Sequence, residues 1–339
     1  MCRLWLLLLA VGCVPALGTE LLVYTYDSFV SWGPAHQIEQ AFEAAHPGVD
    51  LIWVAPGDSS EMLARLLAER ETGGTPADVF LGVADTELAR ALAQDVFQPY
   101  DPALVPNLQH IPQELMFDPT GHVIPFDHGY VTFVYDVELL PEELVPRTLE
   151  DLTRPELAGK IILEDPRTSS PGLSFLIWTV VHFGEEGWED YWRRLLPNVL
   201  TITKGWSEAY DMFLAEEAPI VLSYSTDTAY SWIEYGSLRY QVITPDGEAY
   251  HQIEGMGIVA GSDQVELAHA LLNLVLQQEI QEVFPTSQWM FPVNELAQLP
   301  EDFARYAVVP ERPVSLAPEL IGERLEEWLN RWQRLLVGG

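Results

Sequence analysis

VIPFDHGYVTFVY, Val123 to Tyr135, is a β-prone run of thirteen residues with one glycine, Gly129, near its middle. Strands in compact domains usually run about 5–6 residues. A run this long reads as a crossover that leaves one lobe and enters a second. A second β-prone run, Gln252 to Ala260, carries Gly255 and Gly257 and reads as the return crossing. Two crossings between two lobes make a hinge with a cleft beside it.

The residues before the first crossing alternate between strand and helix patterns. Leu21–Tyr26, Val49–Ala55 and Asp78–Gly82 read as strands. Ala35–His46 places Ile38, Ala41, Phe42 and Ala45 at helical spacing and stops at Pro47-Gly48. Ser59–Arg70, with Met62, Leu63, Leu66 and Leu67 on one side, and Thr86–Gln94 read as further helices. After the crossing the alternation resumes. Strands are expected at Lys160–Leu163, Val199–Thr203, Pro219–Tyr224 and Arg239–Thr244, and helices at Gly172–Phe183, Ser207–Glu216 and Asp227–Glu234. Such alternation predicts an α/β fold: two doubly wound lobes, each on a parallel sheet, joined by a β-strand hinge. The expected division is 1–18 leader, 19–127 first lobe, 128–245 second lobe, and 246–339 return crossing, remainder of the first lobe and C-terminal helices. Val265–Gln277 is an amphipathic helix. Leu316–Leu336 closes the chain, with Leu320, Leu325, Trp328, Leu329 and Trp332 expected on its buried side. No internal repeat or low-complexity tract interrupts the pattern.

MCRLWLLLLAVGCVPALG, residues 1–18, reads as a secretion signal: Arg3, an apolar run from Leu4 to Val14, and Ala16-Leu17-Gly18 before the expected cleavage point. A rival reading makes Cys13 a lipid-modified first residue. Either way the chain is expected to be periplasmic or otherwise extracytoplasmic. Cys2 and Cys13 are its only cysteines, so the cleaved form would have neither a thiol nucleophile nor a disulfide. The formal net charge is −34, from 51 acids against 17 bases. That field repels nucleic acid and anionic lipid and favours a cationic ligand. Solubility alone is the plainer explanation for most of it. A 48% hydrophobic content supports a full globular core.

In parallel sheets ligands gather beyond the carboxyl ends of the strands. Those loops here carry an unusual set: Tyr26, Asp27, Ser28 and Trp32; Gly57-Asp58-Ser59; EDPRTSSPG at 164–172; KGWSEAY at 204–210; SYSTDTAY at 223–230; and TSQWMFP at 286–292. Each member has a structural explanation. Asp58 or Ser59 is a natural helix cap, and Ser169-Ser170 before Pro171 is another. Tyr26 and Trp32 can serve as packing. Together, aromatic faces with carboxylates suit a flat delocalised cation, and hydroxyls at helix starts suit a polar or anionic tail. Whether Asp27 meets ligand or caps its turn is open.

VYTYDSF at 23–29, WGP at 32–34, EDPRTSSPGL at 164–173, TKGWSEAY at 203–210, LSYST at 222–226 and QWMFPV at 288–293 resemble the periplasmic thiamine-binding proteins of bacterial ABC importers. The resemblance runs over nearly the whole mature chain. It implies a class II periplasmic-binding-protein architecture, and capture of thiamine, its monophosphate or its diphosphate for delivery to a membrane permease. It places the pocket on Tyr26, Trp32, Asp58, Ser59, Ser169, Ser170, Trp206, Tyr224, Ser225, Thr226, Asp227, Thr228, Tyr230 and Trp289. The rings would take the two heterocycles, Asp58 the amino group or the positive charge, and Ser169 and Ser170 the hydroxyethyl or phosphate end. Departures from the family pattern are the APGD lead-in to Asp58, the acid at Asp227, which favours a bare cation over a phosphate ester, and Phe291 in place of a tyrosine.

The same fold hosts a thiaminase that attacks through cysteine, which this chain lacks after Cys13, so no catalytic residue and no cofactor are expected. A ferric carrier would want two adjacent tyrosines, and Tyr224 is followed by Ser225. The eight histidines show no ligand spacing, so no metal is expected. A polyamine carrier is the serious alternative. It would need carboxylates at both ends of the cleft, and the Ser169-Ser170 end reads as neutral. The protein is expected to act as a monomer.

Overall fold

The computed structural model describes residues 18–74 and 77–337. Of the expected leader, 1–18, residues 1–17 lie outside the described residues. The first lobe alternates β1 (Thr19–Tyr24), α1 (Asp27–Ser31), α2 (Ala35–Ala45), β2 (Val49–Val54), α3 (Ser59–Glu71), β3 (Val79–Ala84), α4 (Leu88–Ala93) and the short β4 (Phe97–Gln98). Then comes β5 (Val123–Asp136), and the second lobe follows as β6 (Ile161–Glu164), α5 (Ser170–Leu195), β7 (Val199–Thr203), α6 (Trp206–Leu214), β8 (Ile220–Tyr224), α7 (Asp227–Tyr235) and β9 (Tyr240–Ile243). The return strand β10 (Glu248–Val259) leads to α8 (Val265–Val275), α9 (Gln278–Gln281), α10 (Phe284–Ser287), β11 (Phe291–Pro292), α11 (Glu301–Tyr306), β12 (Arg312–Val314) and α12 (Pro318–Val337).

The main sheet runs β2-β1-β3-β10-β5-β8-β6-β7. β1 is parallel to β2 and β3 in one lobe, and β6 is parallel to β7 and β8 in the other. The two crossing strands lie antiparallel at the centre. β10 pairs with β3 and β5, while β5 pairs with β8. The lobes are therefore wings of one hydrogen-bonded sheet. The β5–β10 ladder runs from Val123 opposite Gly257 to Val131 opposite Tyr250, and its register shifts beside Glu254. An irregularity of this kind turns a side chain out of the regular alternation.

Each lobe has its own core. Leu21, Val23, Phe29, Ile38, Phe42, Leu271 and Leu272 belong to the first lobe's cluster. Phe133, Phe175, Trp178, Trp188, Trp192 and Trp332 belong to the second's. α5 is longer than expected because a second helical stretch follows a break at Gly184, where φ is 74°. On α12 the buried stripe is Ile321, Leu325, Trp328 and Trp332, spaced four, three and four residues apart as one helical face requires. Leu320 lies one residue, roughly 100°, off that stripe and is 50% exposed, which corrects its expected burial. Among the described residues no helix is long and apolar enough to cross a membrane.

Candidate functional site

The carboxyl ends of β1, β2, β6, β7 and β8 face one another across the lobes around a cavity of ≈ 290 Å³. That lies at the lower edge of the range for small-molecule pockets. Of the residues singled out in the sequence, Tyr26, Trp32, Asp58, Ser170 and Trp206 line it, as do Tyr224, Thr226, Asp227, Tyr230 and Trp289.

Four others do not line it: the protein uses the hydroxyls of Ser59, Ser169 and Thr228, while Ser225 is buried with its hydroxyl unpartnered. The Ser59 hydroxyl lies between the Gly82 carbonyl and the Glu87 carboxylate, which share its one proton. Ser169 is fully buried, and its Oγ accepts from the Gly172 amide as the cap of α5. Ser225 is fully buried, its amide bound to the Tyr130 carbonyl. The Thr228 hydroxyl accepts from the Val242 amide, tying α7 to β9. Phe291 stacks on His128 at 5.5 Å and likewise lies outside the cavity wall.

One wall is aromatic. Trp206 and Tyr210, one turn apart on α6, stack at 4.7 Å and 19°. Trp32 comes from the opposite lobe and inserts edge-on against Trp206 at 5.9 Å and Tyr210 at 6.1 Å, and tilted against Tyr230 at 6.0 Å. Trp289 meets Tyr230 edge-on at 5.1 Å. Its backbone is left-handed, with φ 59°, a conformation that costs a bulky residue about 1–2 kcal/mol and is held by its amide's bond to the Phe284 carbonyl. Asp227 lines the cavity beside this box, 4% exposed, and its Oδ2 has no hydrogen-bond partner. Burial raises its pKa to about 7, against the pull of the Ser223 hydroxyl.

The opposite wall is polar. The Tyr26 hydroxyl donates to Glu254 Oε2 at 2.6 Å and accepts from Gln288 Nε2 at 2.7 Å. Gln252 Nε2 donates both to the Tyr224 hydroxyl at 2.9 Å and to Glu254 Oε1 at 3.0 Å. Tyr26 reaches this position because Gly82 leaves room for its ring. A Cβ at Gly82, whose φ is +121°, would come within 2.5 Å of the Tyr26 ring. Gly82→Ala is therefore expected to cost about 1–3 kcal/mol of stability and to weaken ligand binding. A thermal melt reads the first effect, and an unchanged melting temperature would show that the ring has space to retreat.

Asp58 ties the lobes together. Its carboxylate accepts from the Ser59 amide at 2.7 Å, at the start of α3, and from the Trp206 amide at 3.3 Å, at the start of α6 across the cleft. The Ser169 hydroxyl, at the start of α5, also favours its charged form. Gly205 permits the approach, since a Cβ there would lie 3.1 Å from Asp58 Oδ2. Burial nevertheless raises the Asp58 pKa to about 6. A second link runs from the Ser207 hydroxyl to Asp27 Oδ1 at 2.9 Å, so Asp27 joins the lobes at the cavity rim. Glu164 is fully buried nearby with both oxygens unpartnered, its pKa pushed well up by burial and then by the Asp58 charge. The Ser169-Ser170 end thus has the Asp58 carboxylate beside it, which corrects the sequence reading of that end as neutral.

Sequence reasoning missed Tyr210, Glu61, Gln288 and Glu254 as lining residues. Tyr210 was reachable from its i+4 spacing to Trp206. Glu254 and its neighbour Asp127 were visible as single acids inside apolar crossing strands. Lys204 is the one lysine or arginine lining the cavity among the described residues, against the carboxylates of Asp27, Asp58, Glu61, Glu208, Asp227 and Glu254.

Two α/β lobes, crossed by two central strands and closing on an aromatic and acidic cavity, define a two-lobed solute-binding protein of class II architecture. The chain belongs to the bacterial extracellular solute-binding proteins, whose family model matches residues 74–308. It is 34% identical to the thiamine-binding periplasmic protein of Salmonella typhimurium, over 98% of this chain and 99% of that one. It is 35% identical to the protein of the same name from Brucella melitensis, over 95% and 94%. A solved structure described as a periplasmic thiamin binding protein superposes with a TM-score of 0.83 at 34% identity, covering 93% of this chain and 96% of that one.

Proposed function

We propose that this protein captures thiamine outside the cytoplasm, in the cavity between its lobes, and delivers it to the membrane permease of an ABC importer. The observation that carries the reading is the five-ring box beside Asp227, whose free oxygen lacks a cationic partner in the protein. A thiazolium supplies that charge, and ring faces hold a delocalised cation at about 0.5–2 kcal/mol each. The names of the two relatives and of the solved structure given above support the same ligand. Thiamine is cargo here, and the reading needs no resident cofactor, no metal and no catalytic residue. It takes the protein as a monomer that enters the periplasm by the leader at 1–18, with Cys13 lipidation as the alternative anchor.

Ligand touching both lobes favours the closed arrangement by as much as it binds that arrangement better. Trp32, Asp58 and Asp27 already make contacts across the cleft, so closure uses surfaces that fit without distortion. The permease would then read the closed outline.

The phosphate forms are expected to bind more weakly. Helix starts are natural anion seats, but the seat formed by α3, α5 and α6 is taken by the protein's own Asp58. A phosphate there would meet like charge. The expected order is thiamine, then monophosphate, then diphosphate, the last at least about tenfold weaker than the first. Titration of the purified protein, followed by tryptophan fluorescence, tests both points. Tight thiamine binding with quenching is the expected result. Equal affinity for the diphosphate would remove the Asp58 argument. A response to spermidine without one to thiamine would make the protein a polyamine carrier.

A further inference from the structure

The carboxylate of Glu254 is one that no motif in the sequence pointed to. It is 4% exposed, yet it lines the cavity. It stands at the register irregularity of β10, directly opposite Asp127 of β5, so the two acids form a cross-strand pair in the crossing strands themselves. Asp127 is fully buried, and neither of its oxygens has a hydrogen-bond donor. Burial pushes both carboxyls up, and their mutual repulsion adds to this for Asp127. A buried acid pair without a cation is costly, and no packing need explains it. The groups around Glu254 are hydrogen-bonding ones: Tyr26 from the loop after β1, Gln252 on its own strand, Tyr224 of β8 bonded to that glutamine, and Gln288 bonded to Tyr26. Asp58 acts on it through its charge. The Tyr26 and Tyr224 rings flank this polar floor, and Tyr224 joins it to the five-ring box, its centroid 6.5 Å from that of Trp206.

On the reading of thiamine as ligand, we infer that Glu254 is a specificity-determining residue that accepts a hydrogen bond from the exocyclic amino group of the aminopyrimidine ring. The assignment follows from dividing the ligand by chemistry. The permanently charged thiazolium belongs in the box with Asp227, where rings and a free carboxylate oxygen surround it. The neutral ring, which carries an N–H₂ donor, belongs on the floor, where the Glu254 carboxylate takes donors from Tyr26, Gln252 and Asp127 and retains a lone pair for another. Asp127 positions Glu254 as its cross-strand partner: burial keeps the Asp127 carboxyl protonated, and its hydrogen bond to Glu254 favours the charged form of that group. Because both acids sit on the crossing strands, the amino group would be read at the hinge.

The test is a double-mutant cycle between protein and ligand. Wild type and Glu254→Gln are titrated with thiamine and with the analogue whose 4-amino group is replaced by oxygen, both proteins first checked by near-ultraviolet dichroism. Wild type is expected to prefer thiamine at least about tenfold, and Glu254→Gln to lose most of that preference while binding the oxo analogue about as wild type does. Equal losses on both ligands would overturn the inference and leave the thiamine reading intact. If Glu254→Gln does not fold, the wild-type preference decides: no discrimination between the two ligands overturns the assignment. Failure of wild type to bind either ligand would remove the thiamine reading and this inference with it.

Discussion

Trp206→Ala is expected to weaken thiamine binding at least tenfold, and about thirtyfold if the ring acts as an interface hot spot of ~2 kcal/mol. The substitution removes three things together: the 4.7 Å stack on Tyr210, the edge contact with Trp32 from the other lobe, and the indole N–H bond to the Ser223 hydroxyl at 2.9 Å. Trp206 is only partly buried, so the melting temperature without ligand should fall far less than the affinity. Trp32→Ala should have an effect of similar size for a different reason. Its ring belongs to the first lobe but packs within the second lobe's aromatic cluster, so its loss weakens closure as well as contact. The double variant should lose less than the two single losses combined, because the rings touch. Normal affinity in both single variants would show that the ligand does not use this wall.

The second large effect is on pH. Asp58 and Asp227 have pKa values raised by burial to about 6 and about 7, and Glu254 is raised as well. These groups hold protons in the folded protein that the unfolded chain has already released above about pH 4. The folded state then binds more protons than the unfolded state, so stability falls as pH rises. Asp85, raised to about 7 beneath the Tyr250 hydroxyl, adds to the same slope without lining the cavity. The stabilising contribution of these acids is present in full near pH 4 and is lost as pH rises through the values of about 6 and 7. Carboxyls lowered by ion pairs, such as Glu69 and Glu189, act in the opposite direction and only at lower pH. Without ligand, the melting temperature should therefore drop between about pH 5 and pH 8. With thiamine the sign reverses, because a fixed cation favours ionised carboxyls. Affinity should rise at least about tenfold between roughly pH 5.5 and 7.5, with protons released on binding. Calorimetry in two buffers of different ionisation enthalpy detects that release. A pH-independent affinity would mean that the cavity carboxyls do not face the charge.

Much of this was legible in the chain because its causes are local. The length of Val123–Tyr135 exceeds what one lobe can use, and the structure spends it on a strand that pairs with partners in both lobes. Helical spacing placed α2 and α3, and the strand-end rule placed the aromatic loops around a cavity. What stayed hidden depends on partners far away in sequence. The Ser59 hydroxyl is taken by Glu87, and Thr228 by the amide of Val242. Nothing near either residue announces that bond. Glu254 became a cavity residue only through its pairing with Asp127 across strands more than a hundred residues apart. The Ser169-Ser170 turn looked neutral because Asp58 arrives beside it from the other lobe. On α12 the error was one of helical phase, Leu320 for Ile321, which only docking against α5 and α4 decides.

The most direct measurement is a crystal structure of the protein with thiamine bound. The thiazolium is expected among Trp32, Trp206, Tyr210, Tyr230 and Trp289 beside Asp227, with the lobes joined through the bond from the Trp206 amide to Asp58. Thiamine bound outside the cleft, or inside it with those rings turned away and Asp227 unengaged, would contradict that placement.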